Sequence, residues 1–422
     1  MKLYFDNNIL FIKEQRYELV YNPHTHYILR LSNDACNLLK QIISLGSGTK
    51  FELKDFIVDS EDIKILKQLI NDMLRFKFFF KTKKEFEEHS FFHKIKKMEE
   101  KFNILTVYIH LTQKCNLQCS YCYNKQNLNQ WEELSKLEWF KIIDALKNMG
   151  VREFIFTGGE PLIRDDLFDI LKYTKQEDNS IELLTNGTLL KDENVKVLKF
   201  VDQVIISLDT IDKVSNDKHR KNSKNYNILD NLHNIPKEYS NKIVIRSVIT
   251  KENQMYIEET KNYVENILGF QFTSIIFIPN NLNEVDLVPE IIIDDVDEEC
   301  KMKFSNKIMN CGACSKEIAI NSNGDIYPCQ NLIKKEFLLT NILHENWLEE
   351  LKNSYITKQF MQLDVRNIEK CKDCSLKFVC GGGCRAIAYN VYGDLNAHLE
   401  FFCDFLSKNA ISRLKNIKFK SS

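Results

Sequence analysis

Residues 115–122 read Cys115-Asn-Leu-Gln-Cys119-Ser-Tyr121-Cys122, three cysteines at CxxxCxxC spacing. The apolar run before them, Leu105 to Leu111, reads as a strand. Thiolates are soft ligands that suit iron–sulfur clusters or zinc. A [4Fe–4S] cluster takes four thiolates, and this loop offers three close together without a local fourth. One iron would keep an open coordination position and could bind a small molecule there. The next strand, Glu153 to Phe156, runs into Thr157-Gly158-Gly159-Glu160-Pro161-Leu162. Without Cβ atoms, Gly158 and Gly159 let a backbone approach a ligand closely, and the Glu160 carboxylate beside them can receive an ammonium. Taken singly, the cysteines also fit a partial zinc site, and the glycines fit an ordinary strand-to-helix turn.

Together the two motifs resemble the radical S-adenosylmethionine (SAM) superfamily. The resemblance implies that the amino and carboxylate groups of SAM occupy the open iron and that the GGEP stretch holds the SAM amino group. It further implies reductive cleavage of SAM to methionine and a 5′-deoxyadenosyl radical, which takes a hydrogen atom from the substrate.

Composition bounds the rest. The chain has 422 residues, 44% hydrophobic and 28% charged, as in a globular protein of two to four domains. A net charge of −1 argues for neither nucleic-acid nor membrane partners. The first sixteen residues, MKLYFDNNILFIKEQR, lack the apolar stretch of a signal peptide. Thirteen cysteines without such a signal suggest metal or redox chemistry in a reducing cytoplasm, not a disulfide framework.

Residues 1–85 are expected to form a separate unit. Strands are read over Tyr4–Phe11, Arg16–Tyr21 and Thr25–Arg30, then helices from Ser32 through Ile42, over Phe51–Ile57 and over Asp62–Leu74, and a strand-like wing at Phe76–Phe80. Ser32 or Asn33 would cap the first helix. The pattern resembles the winged-helix-like leader-recognition domain of ribosomal peptide maturases, where a precursor's leader adds a strand to the sheet edge. Residues 86–103 read as a charged linker helix, with His89 and His93 exposed on it.

From 104 to 300, six strand–helix units alternate, predicting an α/β fold, a partial (β/α)6 barrel. Its strands are expected at Leu105–Leu111, Glu153–Phe156, Ile181–Leu184, Gln203–Ser207, Ile243–Ile249 and Ser274–Ile278. In β/α barrels chemistry sits at the carboxyl ends of strands. By that rule Asn186 and Ser207, after the third and fourth strands, offer polar groups toward a ribose or carboxylate; by the resemblance, Tyr121 contacts adenine and Arg220 pairs with the SAM carboxylate. The segment Asn216-Asp217-Lys-His219-Arg220 departs from the family's His-Asp and Arg-Gly pattern at Asn216 and Lys221. Catalytic chemistry is thus placed at Cys115, Cys119 and Cys122, and cofactor contacts at Tyr121, Gly158, Gly159, Glu160, Pro161, Asn186, Ser207 and Arg220.

Residues 301–422 hold Cys311, Cys314, Cys329, Cys371, Cys374, Cys380, Cys384 and Cys403 around a hairpin read at Ile318–Ile320 and Asp325–Tyr327. Two zinc sites of four thiolates each are one reading. The pattern resembles the SPASM auxiliary-cluster domain. By that resemblance Cys311, Cys314, Cys329 and Cys384 hold one [4Fe–4S] cluster, and Cys371, Cys374, Cys380 and Cys403 a second. Cys36, on an apolar face, is read as core packing, and Cys300 as a plain thiol outside the cluster sets.

The implied whole is a radical SAM peptide maturase with three [4Fe–4S] clusters and SAM. It would act on a precursor peptide, draw electrons from a flavodoxin- or ferredoxin-type donor, and install a cross-link, a cysteine thioether first. Alternatives are a carbon–carbon cross-link, epimerisation or sulfatase maturation, the last disfavoured by Gln330 where that subfamily has aspartate. A zinc-containing peptide-binding scaffold is the reading outside enzymes.

Overall fold

The computed structural model describes residues 1–53, 60–89, 102–130, 132–223, 226–289 and 311–415. Cys300, His93 and most of the expected linker helix lie outside them, as does most of the helix expected over Phe51–Ile57.

The strands in chain order are β1 (Leu10–Lys13), β2 (Glu18–Asn22), β3 (Tyr27–Leu31), β4 (Thr106–Thr112), β5 (Gln118–Cys119), β6 (Glu153–Gly158), β7 (Ser180–Thr185), β8 (Gln203–Ser207), β9 (Arg220–Lys221), β10 (Ile243–Ile249), β11 (Gln271–Ile276), β12 (Glu317–Ile320), β13 (Asp325–Tyr327) and β14 (Thr340–Asn341). They form a three-stranded sheet β1-β2-β3, a nine-stranded sheet β11-β10-β8-β7-β6-β4-β12-β13-β14, and a two-stranded ribbon β5-β9.

Six neighbours of the large sheet, β4 to β11, are parallel and stand in chain order, the wall of the expected open barrel. Alternate side chains leave a strand on opposite faces. Val107, Ile109 and Leu111 of β4, Phe154 and Phe156 of β6, and Leu183 of β7 therefore pack outward onto Trp139, Ile143, Leu146 and Ile170 of the flanking helices. Tyr108, His110 and Glu182 alternate with them, toward the barrel interior. The first flanking helix, Lys136–Met149, begins with a Ser135–Glu138 capping box and ends at left-handed Gly150. The sixth strand begins three residues earlier than expected. Gly269, at φ 71°, ends the preceding helix, and Gln271 then pairs opposite Val244.

The hairpin of β12 and β13 turns at Gly324, as its Asn-Ser-Asn-Gly sequence demands. It does not stand apart: β12 pairs parallel with β4, so the cysteine-bearing carboxyl-terminal region continues the barrel sheet.

At the amino terminus the expected strand Tyr4–Phe11 is interrupted. Asp6 accepts from the Asn8 amide at 2.8 Å, a local Asx turn that competes with strand pairing. Tyr4 instead bridges Phe80, and pairing resumes at Leu10. The helix Asn33–Ser44 is capped by the Ser32 hydroxyl, and the helix Ser60–Arg75 packs Leu66, Ile70 and Met73 with it over one core. Cys36 is buried in that core. The other face of the small sheet presents Ile12, Leu19 and Tyr21 to Leu376, Val379, Ala410 and Leu414, and Lys415 pairs with Glu14 at 2.9 Å. The amino-terminal unit is therefore packed against the carboxyl-terminal cysteine region.

Candidate active site

Cys115, Cys119 and Cys122 lie on the loop after β4, at the carboxyl end of the barrel. Each thiol lies within the electrostatic reach of the others. Burial pushes Cys115 up to about 12 and Cys122 to about 11, so any metal must displace protons to bind there. The loop is held by the β5-β9 ribbon, which sets Cys119 opposite Arg220. The Ser120 amide also donates to the His219 carbonyl at 2.8 Å.

Arg220 is buried. Its Nε and Nη2 donate to the two Asp209 oxygens at 3.0 and 3.1 Å, and its positive charge acts on the Cys119 thiol. The Tyr121 hydroxyl donates to Asp209 as well, and the Arg220 guanidinium lies 5.7 Å from the Tyr121 ring centre. Asp209 is fully buried and also accepts from the Val248 amide at 3.1 Å. Within Ser207-Leu-Asp209, the strand-end rule points first to Ser207. The geometry makes Asp209 the hub, while Ser207 lies half-buried on β8. The sequence signal for Asp209 is its place just past a strand end. Asn216, the departure from the family pattern, accepts from the Asp209 amide at 3.3 Å.

The Gly158-Gly159-Glu160-Pro161 turn abuts this loop. Gly159 N donates to Thr112 O at 2.7 Å and Glu160 N to Lys114 O at 2.8 Å. A Cβ on Gly158 would stand 2.2 Å from Thr112 O, and one on Gly159 2.2 Å from Lys114 O. The close approach these glycines permit is thus to the cysteine loop itself. Gly159→Ala should push Lys114 and Cys115 outward and lower iron bound at this loop, with the carboxyl-terminal cysteine sites unaffected. Iron analysis of protein assembled without air checks this.

Glu160 is fully buried. It accepts from Leu162 N at 3.0 Å, Thr185 Oγ1 at 2.7 Å and Asn186 N at 2.7 Å, and burial still raises its pKa to about 7. The Asn186 side chain donates to Asn116 Oδ1 at 2.9 Å, tying the end of β7 to the cysteine loop. A further polar seam, Asn124 to Gln113 to Asn321, joins that loop to the β12-β13 turn. His110 is buried beside Tyr123 with both ring nitrogens unpartnered, and burial lowers it to about 3, keeping it neutral. No sequence motif points to His110.

The other eight cysteines fall into two electrostatic groups. Cys311 senses Cys384 and Cys314, and Cys329 senses Cys311 and Cys384. Cys371 senses Cys374, Cys380 and Cys403, and Cys380 senses Cys374 and Cys403. Cys384 thus stands with the distant CxxC pair, not with its sequence neighbour Cys380. The Leu376 amide donates to the Cys374 sulfur at 3.4 Å. None of the described cysteines is in a disulfide. Free thiols gathered in groups fit an iron–sulfur cluster, whose ligands each meet a different iron.

Residues 109–264 match the Radical SAM superfamily, and residues 311–375 match an iron–sulfur cluster-binding domain, SPASM. A probable GTP 3′,8-cyclase of Methanococcus maripaludis is 31% identical over 214 residues, 48% of this chain and 69% of that protein. The chain belongs to the radical SAM superfamily. Its cofactors are accordingly [4Fe–4S] clusters, auxiliary ones included, and S-adenosylmethionine. This radical SAM enzyme is 26% identical over 299 residues to the subtilosin biosynthesis protein AlbA of Bacillus subtilis, across 64% of this chain and 65% of AlbA. It is 26% identical to a cysteine-type anaerobic sulfatase-maturating enzyme of Clostridium novyi, across 72% of this chain and 94% of that one. Its fold matches Streptococcus suis SuiB bound to precursor peptide SuiA, with TM-score 0.59 and 17% identity, over 95% of this chain and 99% of SuiB. Among the described residues no helix is long and apolar enough to cross a membrane.

Proposed function

We propose that this radical SAM enzyme matures a ribosomally made precursor peptide by installing a cross-link, a thioether from a cysteine sulfur to a peptide carbon. One observation carries the reading: a small antiparallel sheet with β3 at its edge is built onto a barrel and a SPASM region in a single chain. The likeness to AlbA, a protein of subtilosin biosynthesis, supports the peptide class. The division is 1–85 for leader recognition, 86–103 as linker, 104–300 as barrel and 301–422 as SPASM domain.

In this reading Cys115, Cys119 and Cys122 hold the SAM cluster, and Tyr121, Gly158, Gly159, Glu160, Pro161, Asn186, Ser207 and Arg220 frame SAM. Cys311, Cys314, Cys329 and Cys384 ligate one auxiliary cluster; Cys371, Cys374, Cys380 and Cys403 ligate the other. When bound, cluster and SAM supply hydrogen-atom abstraction from the peptide. The chain's own groups do the positioning: Asp209 fixes Arg220 and Tyr121 under the cysteine loop, and Glu160 receives the SAM ammonium. The enzyme works in the cytoplasm with a flavodoxin- or ferredoxin-type donor.

Glu160 makes SAM binding pH-dependent. An ammonium favours the carboxylate, whose pKa without it is about 7 against an ordinary 4.5. Between those values the folded state binds the extra proton. Its contribution to folding is therefore fully present below 4.5 and lost as pH rises through 7. SAM affinity runs the other way. It should fall as pH drops below 7, by up to about tenfold per unit, with proton release on binding. Calorimetry in buffers of different ionisation enthalpy measures both. A pH-independent affinity would remove Glu160 from this role.

The peptide claim is tested by hydrogen exchange on the assembled protein. Adding precursor peptide should slow exchange in Tyr27–Leu31, because a leader strand pairs with that edge. Exchange unchanged there, with the peptide still modified, would sink the recognition claim. Sulfatase maturation is the second reading, favoured by the match over 94% of the clostridial enzyme. Gln330 and the amino-terminal unit weigh against it.

A further inference from the structure

Arg385 directly follows Cys384 and is 4% exposed. It sits where the two auxiliary cysteine groups meet. The chain passes from Cys380 of one group to Cys384 of the other through Gly381, Gly382 and Gly383, at φ 71°, 75° and 82°. Three successive residues at positive φ strongly favour glycine. Space enforces this too: a Cβ on Gly382 would come within 2.6 Å of Ile368 Cδ1, and one on Gly383 within 2.8 Å of Leu399 Cδ1.

The turn wraps its carbonyls around the guanidinium. Nη2 donates to Gly382 O, Nε to Gly383 O at 3.2 Å, and Nη1 to Leu395 O at 2.9 Å and Ala397 O at 3.1 Å. Carbonyls orient a guanidinium but carry no net charge. Among the described residues Arg385 makes no ion pair with a carboxylate, unlike Arg220 on Asp209. A buried cation without a compensating anion is unfavourable. The charges that Arg385 faces are sulfurs of both groups: Cys384 and Cys311 on one side, Cys371 and Cys380 on the other.

We propose that Arg385 is a counter-ion shared by the two auxiliary [4Fe–4S] clusters, holding both at higher reduction potentials than their cysteine shells alone would set. This rests on the reading of the eight carboxyl-terminal cysteines as two cluster sites. Reduction adds negative charge to a cluster, and a nearby buried cation favours that state. Arg385 is a positioning and charge-balancing group and touches no substrate. The Gly381–Gly383 run exists to place it.

The test uses full-length protein carrying Cys115→Ala, Cys119→Ala and Cys122→Ala, so that only auxiliary clusters give paramagnetic signals. Arg385 is left intact or changed to Gln or Lys. Iron and sulfide are measured first. About eight of each per chain is expected, whereas zinc without sulfide would overturn the two-cluster reading itself. Redox titration followed by electron paramagnetic resonance then reads the potentials. Arg385→Gln should lower both midpoints, and Arg385→Lys, which keeps the charge, should stay near the parent. Full cluster content with unshifted potentials in Arg385→Gln overturns the proposal. A shift of only one cluster overturns the sharing. Should Arg385→Gln take up no cluster, Arg385→Lys decides against the parent: matched potentials support the charge role, and a fall in both overturns it.

Discussion

Replacing Cys115, Cys119 and Cys122 together by alanine will abolish conversion of SAM to 5′-deoxyadenosine while leaving about two thirds of the iron in place. The expectation follows from the separation of the sulfurs into three groups. The first loop is tied to the barrel by Asp209, Asn186 and the glycine turn. The other eight sulfurs are arranged by the β12-β13 hairpin and the helices that follow it. With three [4Fe–4S] clusters the parent should carry about twelve irons and the variant about eight. Anaerobic iron and sulfide analysis, with chromatography of reduced SAM reactions, gives both numbers. Residual SAM cleavage in the variant would refute the site. Loss of all iron would show that the carboxyl-terminal sites depend on the first.

Asp209→Ala should have the next largest effect. It strips the carboxylate from Arg220, whose side chain is 8% exposed. Leaving a buried charge unpaired costs about 3–5 kcal/mol. Tyr121 loses its acceptor in the same step, and the ribbon partner of Cys119 loses its anchor. Partners that orient metal ligands typically change affinity or rate about 10–100-fold when removed, and a fall of that size in SAM cleavage is expected. The double change Asp209→Leu with Arg220→Leu separates stability from function. Removing both charges should restore much of the melting temperature, since a buried pair can be replaced by apolar groups at little cost. SAM cleavage should stay low, because the positive charge acting on Cys119 is gone. Full activity in either variant would show that the Asp209–Arg220 pair does not support the cysteine loop.

Much of the site was readable because it is written in short, local patterns. The CxxxCxxC loop and the GGEP turn each lie within eight residues, directly after an apolar strand, and barrel geometry brings strand ends together. The alternation of strands and helices was equally plain, since both faces of a parallel sheet are covered and its strands read as apolar runs. What failed was local competition. The Asx turn at Asp6 broke a strand that hydrophobic pattern alone would continue. The sixth barrel strand shifted because a helix stop at Gly269, not apolar content, set its start.

Ligand types and their spacing, the order of strand and helix, and the glycines at the turn are properties of the amino-acid sequence, because each depends on neighbours a few residues apart. Tertiary structure alone decided that Asp209 is the buried hub. It also decided that β12 extends the barrel sheet, that the small amino-terminal sheet rests on the last helix, and that Arg385 faces two groups of sulfurs. These depend on contacts between residues far apart in the chain, where burial removes water and lets one charge or one hydrogen bond outweigh local preference.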